Sequence, residues 1–334
     1  MPAASISIVT WNSATTIQRC LESILCQTVT DYELFVVDNH SEDETSSIVR
    51  QYQDPRLRFI ALPENIGYCG GHNTAIRCAQ APHVLLVNPD ISMHPDYLEV
   101  ALRSISKDEH IGTVCGLLVQ QELDHPQCRV DSAGLDILRD RRCRLRHHGR
   151  QLSDVHLTAQ EIFGADGALP LYRRSMIDDV AIRGDLFDER FFAHKEDWDV
   201  SWRSTLMGWK TVFEPACIAL HPRFFKPGDL RLRKEVGESI KYHAVKNQLL
   251  LLLKNEDAGN FVKDLLFIVS RQFAILMYAI LFERSSLKAY GYVVRQWRSI
   301  MADRALIHAR TKVSPAAIRQ WTQHGAATAG SYHE

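Results

Sequence analysis

The chain has 334 residues, 46% of them hydrophobic and 24% charged, which excludes a disordered, collagen-like or disulfide-stapled protein and leaves room for one large domain and a smaller one. Its 39 basic and 40 acidic residues nearly cancel, but unevenly: 221–334 holds 18 basic and 9 acidic residues, a net +9, and 1–220 holds 21 and 31, a net −10. A split of this kind assigns different partners to the two parts.

The first ninety residues alternate strand and helix patterns. Ser5–Thr10 reads as a strand, and Thr15–Gln27 as a helix with Ile17, Leu21, Ile24 and Leu25 on one face. Tyr32–Val37 is a buried-type strand, after which Ser41 to Glu44 has the spacing of a capping box. Leu57–Leu62, Ala75–Ala81 and Val84–Val87 repeat the strand–helix–strand cycle. Alternation of this kind predicts βαβ units and a parallel sheet, with ligands beyond the carboxyl ends of the strands. Those ends read Thr10-Trp11-Asn12, Asp38-Asn39, Pro63-Glu64-Asn65 and Asn88-Pro89-Asp90. Any one of them is ordinary turn chemistry; four in register would surround one crevice.

Ile111–Val119 reads as a further strand. Residues 129–150 are basic and poor in strand pattern, with Arg139, Arg141, Arg142, Arg144, Arg146 and Arg150 close together, either a solvated loop or hairpin or an anion-facing flap. A helix is expected over Lys195–Met207, burying Trp198, Trp202 and Leu206 at four-residue spacing. Beyond His221 the pattern is helical: Leu232–Lys254, Phe261–Phe282, Leu287–Ala309 and a short tail. The glycines of Tyr68-Cys69-Gly70-Gly71-His72-Asn73 do not fit a dinucleotide fingerprint and follow the third strand, not the first.

Taken together, Ser7-Ile8-Val9-Thr10-Trp11-Asn12, Val36-Val37-Asp38-Asn39-His40-Ser41, Glu64-Asn65-Ile66-Gly67-Tyr68 through Asn73, and Leu86-Val87-Asn88-Pro89-Asp90 resemble the family 2 glycosyltransferases, and more narrowly the rhamnosyltransferase-like branch. The resemblance runs on through Gly164-Ala165, Tyr172-Arg173-Arg174, Phe187-Asp188-Glu189, Glu196-Asp197, His221 and Tyr242 to Lys254-Asn255, nearly the whole chain. It implies a GT-A-type, Rossmann-like α/β domain with a mixed sheet over 1–220 and a C-terminal helical domain over 221–334. By the same resemblance Thr10, Trp11, Asn12, Asp38 and Asn39 line a nucleoside pocket, with Asn65, Asn73 and Asn88 also on the donor side.

Asn88-Pro89-Asp90 stands where the family carries an Asp-x-Asp metal motif. Asp90 keeps the oxygen donor that Mg²⁺ or Mn²⁺ favours, while Asn88 brings less charge than an aspartate would. His221 matches a later histidine that completes the metal or diphosphate site; on its own a lone histidine is more often structural. Glu196-Asp197 opens a helix, where carboxylates are favoured electrostatically. The resemblance makes Asp197 the base that takes the acceptor's proton and Glu196 its partner in orienting the acceptor. An inverting transfer follows, without a protein nucleophile, the divalent cation stabilising the departing nucleoside diphosphate.

The implied reaction moves one sugar, L-rhamnose from dTDP-rhamnose, from a nucleotide-sugar donor to a glycan or lipid-linked glycan acceptor in bacterial surface polysaccharide synthesis. Another hexosyl donor, UDP- or GDP-linked, and a catalytically silent nucleotide-sugar-binding or scaffold protein are the alternatives. Nucleic acid is not an expected partner. Eight cysteines without CxxC or ligand-like spacing read as reduced thiols, and the start of the chain has no basic region followed by an apolar run, so a cytoplasmic protein is expected. Leu265–Phe282 has 15 apolar residues among 18. Ser270-Arg271-Gln272 at its middle disfavours a membrane crossing and leaves a buried helix or an interfacial one. The basic residues flanking it (Arg231, Arg233, Lys234, Lys241, Lys288, Arg295, Arg298, Arg304) would let 231–304 meet anionic headgroups at the cytoplasmic face of the inner membrane.

Overall fold

The computed structural model describes residues 1–222 and 237–330, with side chains up to residue 322. Arg231, Arg233 and Lys234 lie outside the described residues.

Four parallel strands open the chain: β1 (Ala4–Thr10), β2 (Tyr32–Asp38), β3 (Leu57–Ala61) and β4 (His83–Val87). The short β5 (Ser92–Met93) is followed by the long β6 (Ile111–Val119), and then by β7 (Val130–Ser132), β8 (Leu135–Ile137), β9 (Cys143–Leu145), β10 (Gln160–Ile162), β11 (Pro170–Arg173) and β12 (Lys210–Leu220). Ten of them form one mixed sheet in the order β10-β12-β6-β11-β4-β1-β2-β3, with β5 on β12 and β7 on β6. β11 runs antiparallel to both β4 and β6, while β6 and β12 are parallel. β8 and β9 make a separate two-stranded hairpin.

Helices α1 (Ile17–Leu25), α2 (Thr45–Val49), α3 (Gly67–Cys78), α4 (Tyr97–Ile105), α5 (Arg174–Val180) and α6 (Glu196–Leu206) link the strands. After β12 every described element is helical: α7 (Glu238–Asn255), α8 (Ala258–Lys263), α9 (Leu265–Phe282), α10 (Lys288–Arg295), α11 (Trp297–Ala309) and α12 (Pro315–Gly330), with one 3₁₀ turn before α10. On one side of the sheet Ile17, Leu21 and Ile24 of α1 and Tyr97, Leu98 and Ala101 of α4 share a core with β1, β2, β4, β6 and β12, α4 lying over β6 and β12. On the other side Trp202 and Leu206 of α6 share a core with Leu250 and Leu251 of α7, Ile300 and Ile307 of α11 and Ile318 of α12. Removing the fully buried Trp202 side chain would cost about 3–5 kcal/mol.

Several local expectations are corrected. The Ser41–Glu44 capping box does not form, because Ser41 Oγ donates to Asp38 Oδ1 at 2.5 Å and Asp43 accepts from the Thr45 N–H instead. α3 begins at Gly67, eight residues before the expected start; its Gly71 lies where an added Cβ would come within 2.7 Å of the Val9 side chain. The glycines that weaken helix propensity are what let α3 lie close on β1. The two long tail helices are broken, at Asp264 and at Gln296. Trp198 is half-buried where Trp202 and Leu206 are fully so.

The basic stretch contains the β8–β9 hairpin, and of its arginines only Arg142 is exposed. Arg141 is buried and pairs with Glu256 at 2.5 Å and Asp264 at 3.0 Å, while Arg146 lies 3.2 Å from Asp136. Breaking one member of such a buried set costs about 3–5 kcal/mol. The hairpin thereby locks onto the start of α9.

Candidate active site

The strand ends meet at one edge of the sheet, knitted by their own polar groups. Thr10 pairs with Asp38 across β1 and β2, and the Asp38 carboxylate accepts from Thr10 Oγ1 (3.0 Å), Ser41 Oγ (2.5 Å) and Ser46 Oγ (2.8 Å). Asn39 donates to the Gly67 carbonyl and accepts from the Ile66 N–H, both at 2.9 Å. Asn73 exchanges hydrogen bonds with the Phe187 backbone. Thr10, Asp38, Asn39 and Asn73 are therefore buried and hold the loops of the crevice together. Trp11 is 57% exposed, and Asn12 is exposed in a left-handed turn with φ 50°; Asn65 and Asn88 are half-buried.

Two carboxylates are carried to the crevice from opposite sides of one loop. The Asn88 N–H donates to the Ala168 carbonyl (2.9 Å), which places the Asn88-Pro89-Asp90 turn beside residues 166–168. On the far side of that loop the Gly167 N–H donates to Asp197 Oδ2 (3.1 Å), and the Tyr68 hydroxyl donates to the Gly167 carbonyl (2.6 Å). Asp90 and Asp197 are thus positioned through the same short backbone segment.

His221 follows β12 directly. Its Nε2 lies 3.5 Å from Asp90 Oδ1, and its Nδ1 donates to Asp131 Oδ2 at 2.7 Å. Asp131 is fully buried and also faces His148 Nδ1 at 3.5 Å. Burial disfavours a charged imidazole, but the hydrogen bonds and charges of Asp131 and Asp90 outweigh it and push His221 up to about 9. Among the described residues no group of three or more His, Cys, Asp or Glu is arranged to hold a metal ion. A bound cation would require Nε2 to give up its proton; the Asp90–His221 pair, 3.5 Å apart, would then offer one oxygen and one nitrogen donor to a cation that takes its remaining ligands from a diphosphate and water. Asp131 fixes the far nitrogen of the ring, as the outer partners of metal-binding histidines do.

At the other carboxylate, Glu196 is buried and its Oε2 has no hydrogen-bond partner among the described residues. Burial first, and then the charge of Asp197, raise its carboxyl well above the usual range. A neutral Glu196 beside Asp197 offers a donor next to an acceptor, a pairing suited to binding and deprotonating one hydroxyl.

The segment leading into α6 is strained. Phe192, His194 and Lys195 have φ of 65°, 71° and 69°, each costing about 1–3 kcal/mol unless its surroundings hold it. α7 holds them: Asn247 Nδ2 lies 2.9, 2.8 and 2.6 Å from the carbonyls of Phe191, Ala193 and His194. Lys195 Nζ donates to the Ala244 carbonyl and to Gln248 Oε1. Beneath this segment Lys254 lies 2.8 Å from Asp188 and 3.1 Å from Asp199, all three buried. Phe192 packs so tightly on Gly67 (φ 79°) that a Cβ there would sit 2.5 Å from its carbonyl oxygen.

Residues 5–181, about half of the chain, match the model of "Glycosyl transferase family 2". The chain belongs to glycosyl transferase family 2. Among the relatives of this family 2 chain, the Escherichia coli chondroitin synthase is 34% identical over 116 residues, 34% of this chain and 17% of that protein. The succinoglycan biosynthesis protein ExoO of Rhizobium meliloti is 37% identical over 98 residues, 29% of this chain and 28% of that one. The chain thus matches well under half the length of either. A mannosyltransferase from Pyrobaculum calidifontis, solved with GDP-mannose and Mn²⁺, superposes with a TM-score of 0.53 at 16% identity, over 100% of this chain and 88% of that one. At that identity the likeness speaks for the fold alone: this family 2 chain has a GT-A-type architecture followed by a helical C-terminal region.

The sequence assigns no role of their own to Asp131, His148, Tyr68, Gly167 or Asn247. Asp131 stands in a basic stretch 90 residues from His221, with no spacing to connect them. Tyr68 and Asn247 lie inside stretches that carry the family resemblance, but nothing local marks either one, and Asn247 stands just before the run Leu249–Leu253.

Proposed function

We propose that this family 2 enzyme transfers a hexosyl residue with inversion from a nucleotide sugar to a glycan or lipid-linked glycan, in the synthesis of a bacterial surface polysaccharide. The observation that supports the reading is the loop 166–168, which bonds to Asp197 through the Gly167 N–H and to the Asn88-Pro89-Asp90 turn through the Ala168 carbonyl. Asp197 takes the proton of the acceptor hydroxyl while the acceptor's oxygen bonds to the anomeric carbon from the face opposite the donor's leaving oxygen. The bond to the diphosphate breaks as the new one forms. Glu196, kept neutral by burial and by Asp197, donates a hydrogen bond to the acceptor. Trp11, Asn12, Asn65 and Asn88 face the donor, and Thr10, Asp38, Asn39 and Asn73 support it through the loops they hold.

Asp90 and His221 would hold the divalent cation, Mg²⁺ or Mn²⁺, which supplies positive charge to the diphosphate. Mn²⁺ in the mannosyltransferase structure supports this reading. Motif resemblance favours dTDP-rhamnose as the donor; the GDP-mannose bound in that neighbour makes a GDP-hexose the second candidate. The polysaccharide names of the relatives support the acceptor class. The division into a catalytic part, 1–220, and a helical part, 221–334, working at the cytoplasmic face of a membrane, belongs to the same reading.

Saturation-transfer NMR over a panel of dTDP-, UDP- and GDP-sugars, followed by product analysis, tests it. Asp197→Asn should keep donor binding and lose about 10²–10⁴-fold in transfer rate. Full transfer by that variant would overturn the base assignment, and donor binding without any release of nucleoside diphosphate would favour a silent binding protein.

A further inference from the structure

A surface helix normally turns its apolar stripe inward and its polar side to water. α9 is apolar on both sides, and the charged groups at its middle and its ends are the ones turned inward. Asp264, immediately before the helix, is buried and paired with Arg139 (2.8 Å) and Arg141 (3.0 Å). Half-buried Arg271 lies 3.7 Å from Asp140, and Glu283, just after the helix, is buried. Ile268 and Ala279 are buried on the same side, with Gln272, Ile275, Leu276, Met277 and Tyr278 half-buried around them. The outward side is apolar: Leu266 is 81% exposed, Phe273 61%, Leu281 63% and Phe282 71%. A groove of about 680 Å³ opens beside it, between α7 and α9, lined by Leu249, Leu252, Leu253, Ile268, Phe273 and Leu276 among others.

The charges around this face have one sign. Between Ala258 and Ile300 every exposed charged residue is basic: Lys263, Arg284, Lys288, Arg295 and Arg298. The two acidic residues of that stretch, Asp264 and Glu283, are the buried ones. A second copy of the chain docked face to face would set cations against cations. An apolar face rimmed by cations alone matches an anionic lipid surface. The helix is tied to the body of the protein at its start, its middle and its end, so it lies along the surface.

We propose that the outward face of α9 docks on an anionic membrane with the helix in the plane of the interface, Leu266, Phe273, Leu281 and Phe282 entering the acyl boundary. The proposal deepens the membrane setting of the function proposed above and is independent of the donor's identity. Flotation of the full chain with phosphatidylcholine vesicles, with and without phosphatidylglycerol, tests it. The anionic lipid should raise the bound fraction roughly tenfold or more, and high salt should reverse much of that gain. The double variant Phe273→Glu, Leu281→Glu alters only exposed side chains and should lose vesicle binding. An unchanged circular dichroism melt and retained nucleoside-diphosphate binding would show that the fold and the donor site persist. Equal binding to neutral and anionic vesicles, full binding by the double variant, or a dimer in light scattering that the double variant dissolves would overturn the proposal. Vesicle binding by a chain that binds no nucleotide would instead leave the docking face standing and remove the transfer reading.

Discussion

Replacing Glu196 by Gln should make the protein more stable and less active, with the stability gain depending on pH. Glu196 is buried, its Oε2 has no partner among the described residues, and Asp197 stands next to it. In the unfolded chain a glutamate ionises at its ordinary value of about 4.3. Burial and the neighbouring charge keep the folded carboxyl protonated to higher pH. The stability that depends on this proton is complete below the unfolded value. It falls as pH rises, until the folded carboxyl also ionises. Each pH unit within that window costs about 1.4 kcal/mol. Gln keeps the shape and has no proton to release, so this contribution vanishes. Guanidinium unfolding of both proteins across the window should therefore give curves that start close together in acid and separate with rising pH, the variant above. Transfer should fall by about tenfold, the scale of one hydrogen bond that an amide replaces imperfectly. Parallel stability curves would refute the assignment of a protonated, strained carboxyl to this position.

Asp131→Asn should weaken Mn²⁺ binding in the presence of a nucleoside diphosphate by about 10–100-fold, the usual cost of losing a carboxylate behind a metal-binding histidine. Calorimetry would read it, with His221→Ala as the benchmark. Lys254→Met should destabilise the protein in guanidinium unfolding at neutral pH by less than the about 3–5 kcal/mol of an unpaired buried charge, because Asp188 and Asp199 lose their shared cation but keep Arg190 and Arg203.

The parts of the fold legible in the sequence are those whose signals are local. The β1–β4 strands show in runs of apolar residues, and the polar turns after them mark the crevice because a parallel sheet gathers its carboxyl ends at one edge. The α3 helix hides its start, since Gly67, Gly70 and Gly71 look like a turn until their packing against Phe192, Ile66 and Val9 is seen. The buried Asp131–His221 contact joins residues 90 apart, and no periodicity encodes such a meeting. Hydropathy marked α9 as apolar without saying which side would face the protein; that depends on Asp264 and Arg271 finding partners in the distant Arg139–Arg141 turn.

The grip of Asn247 on the carbonyls of Phe191, Ala193 and His194 bears on how this sequence can be recombined. Modular exchange of glycosyltransferase halves treats the sheet as the engine and the tail as an interchangeable address. In this chain the tail also supplies the latch for the turn that carries Glu196 and Asp197 into place. A hybrid joined at the end of β12 would inherit the proposed catalytic carboxylates without what holds them, unless its new tail brought an amide to the same three carbonyls.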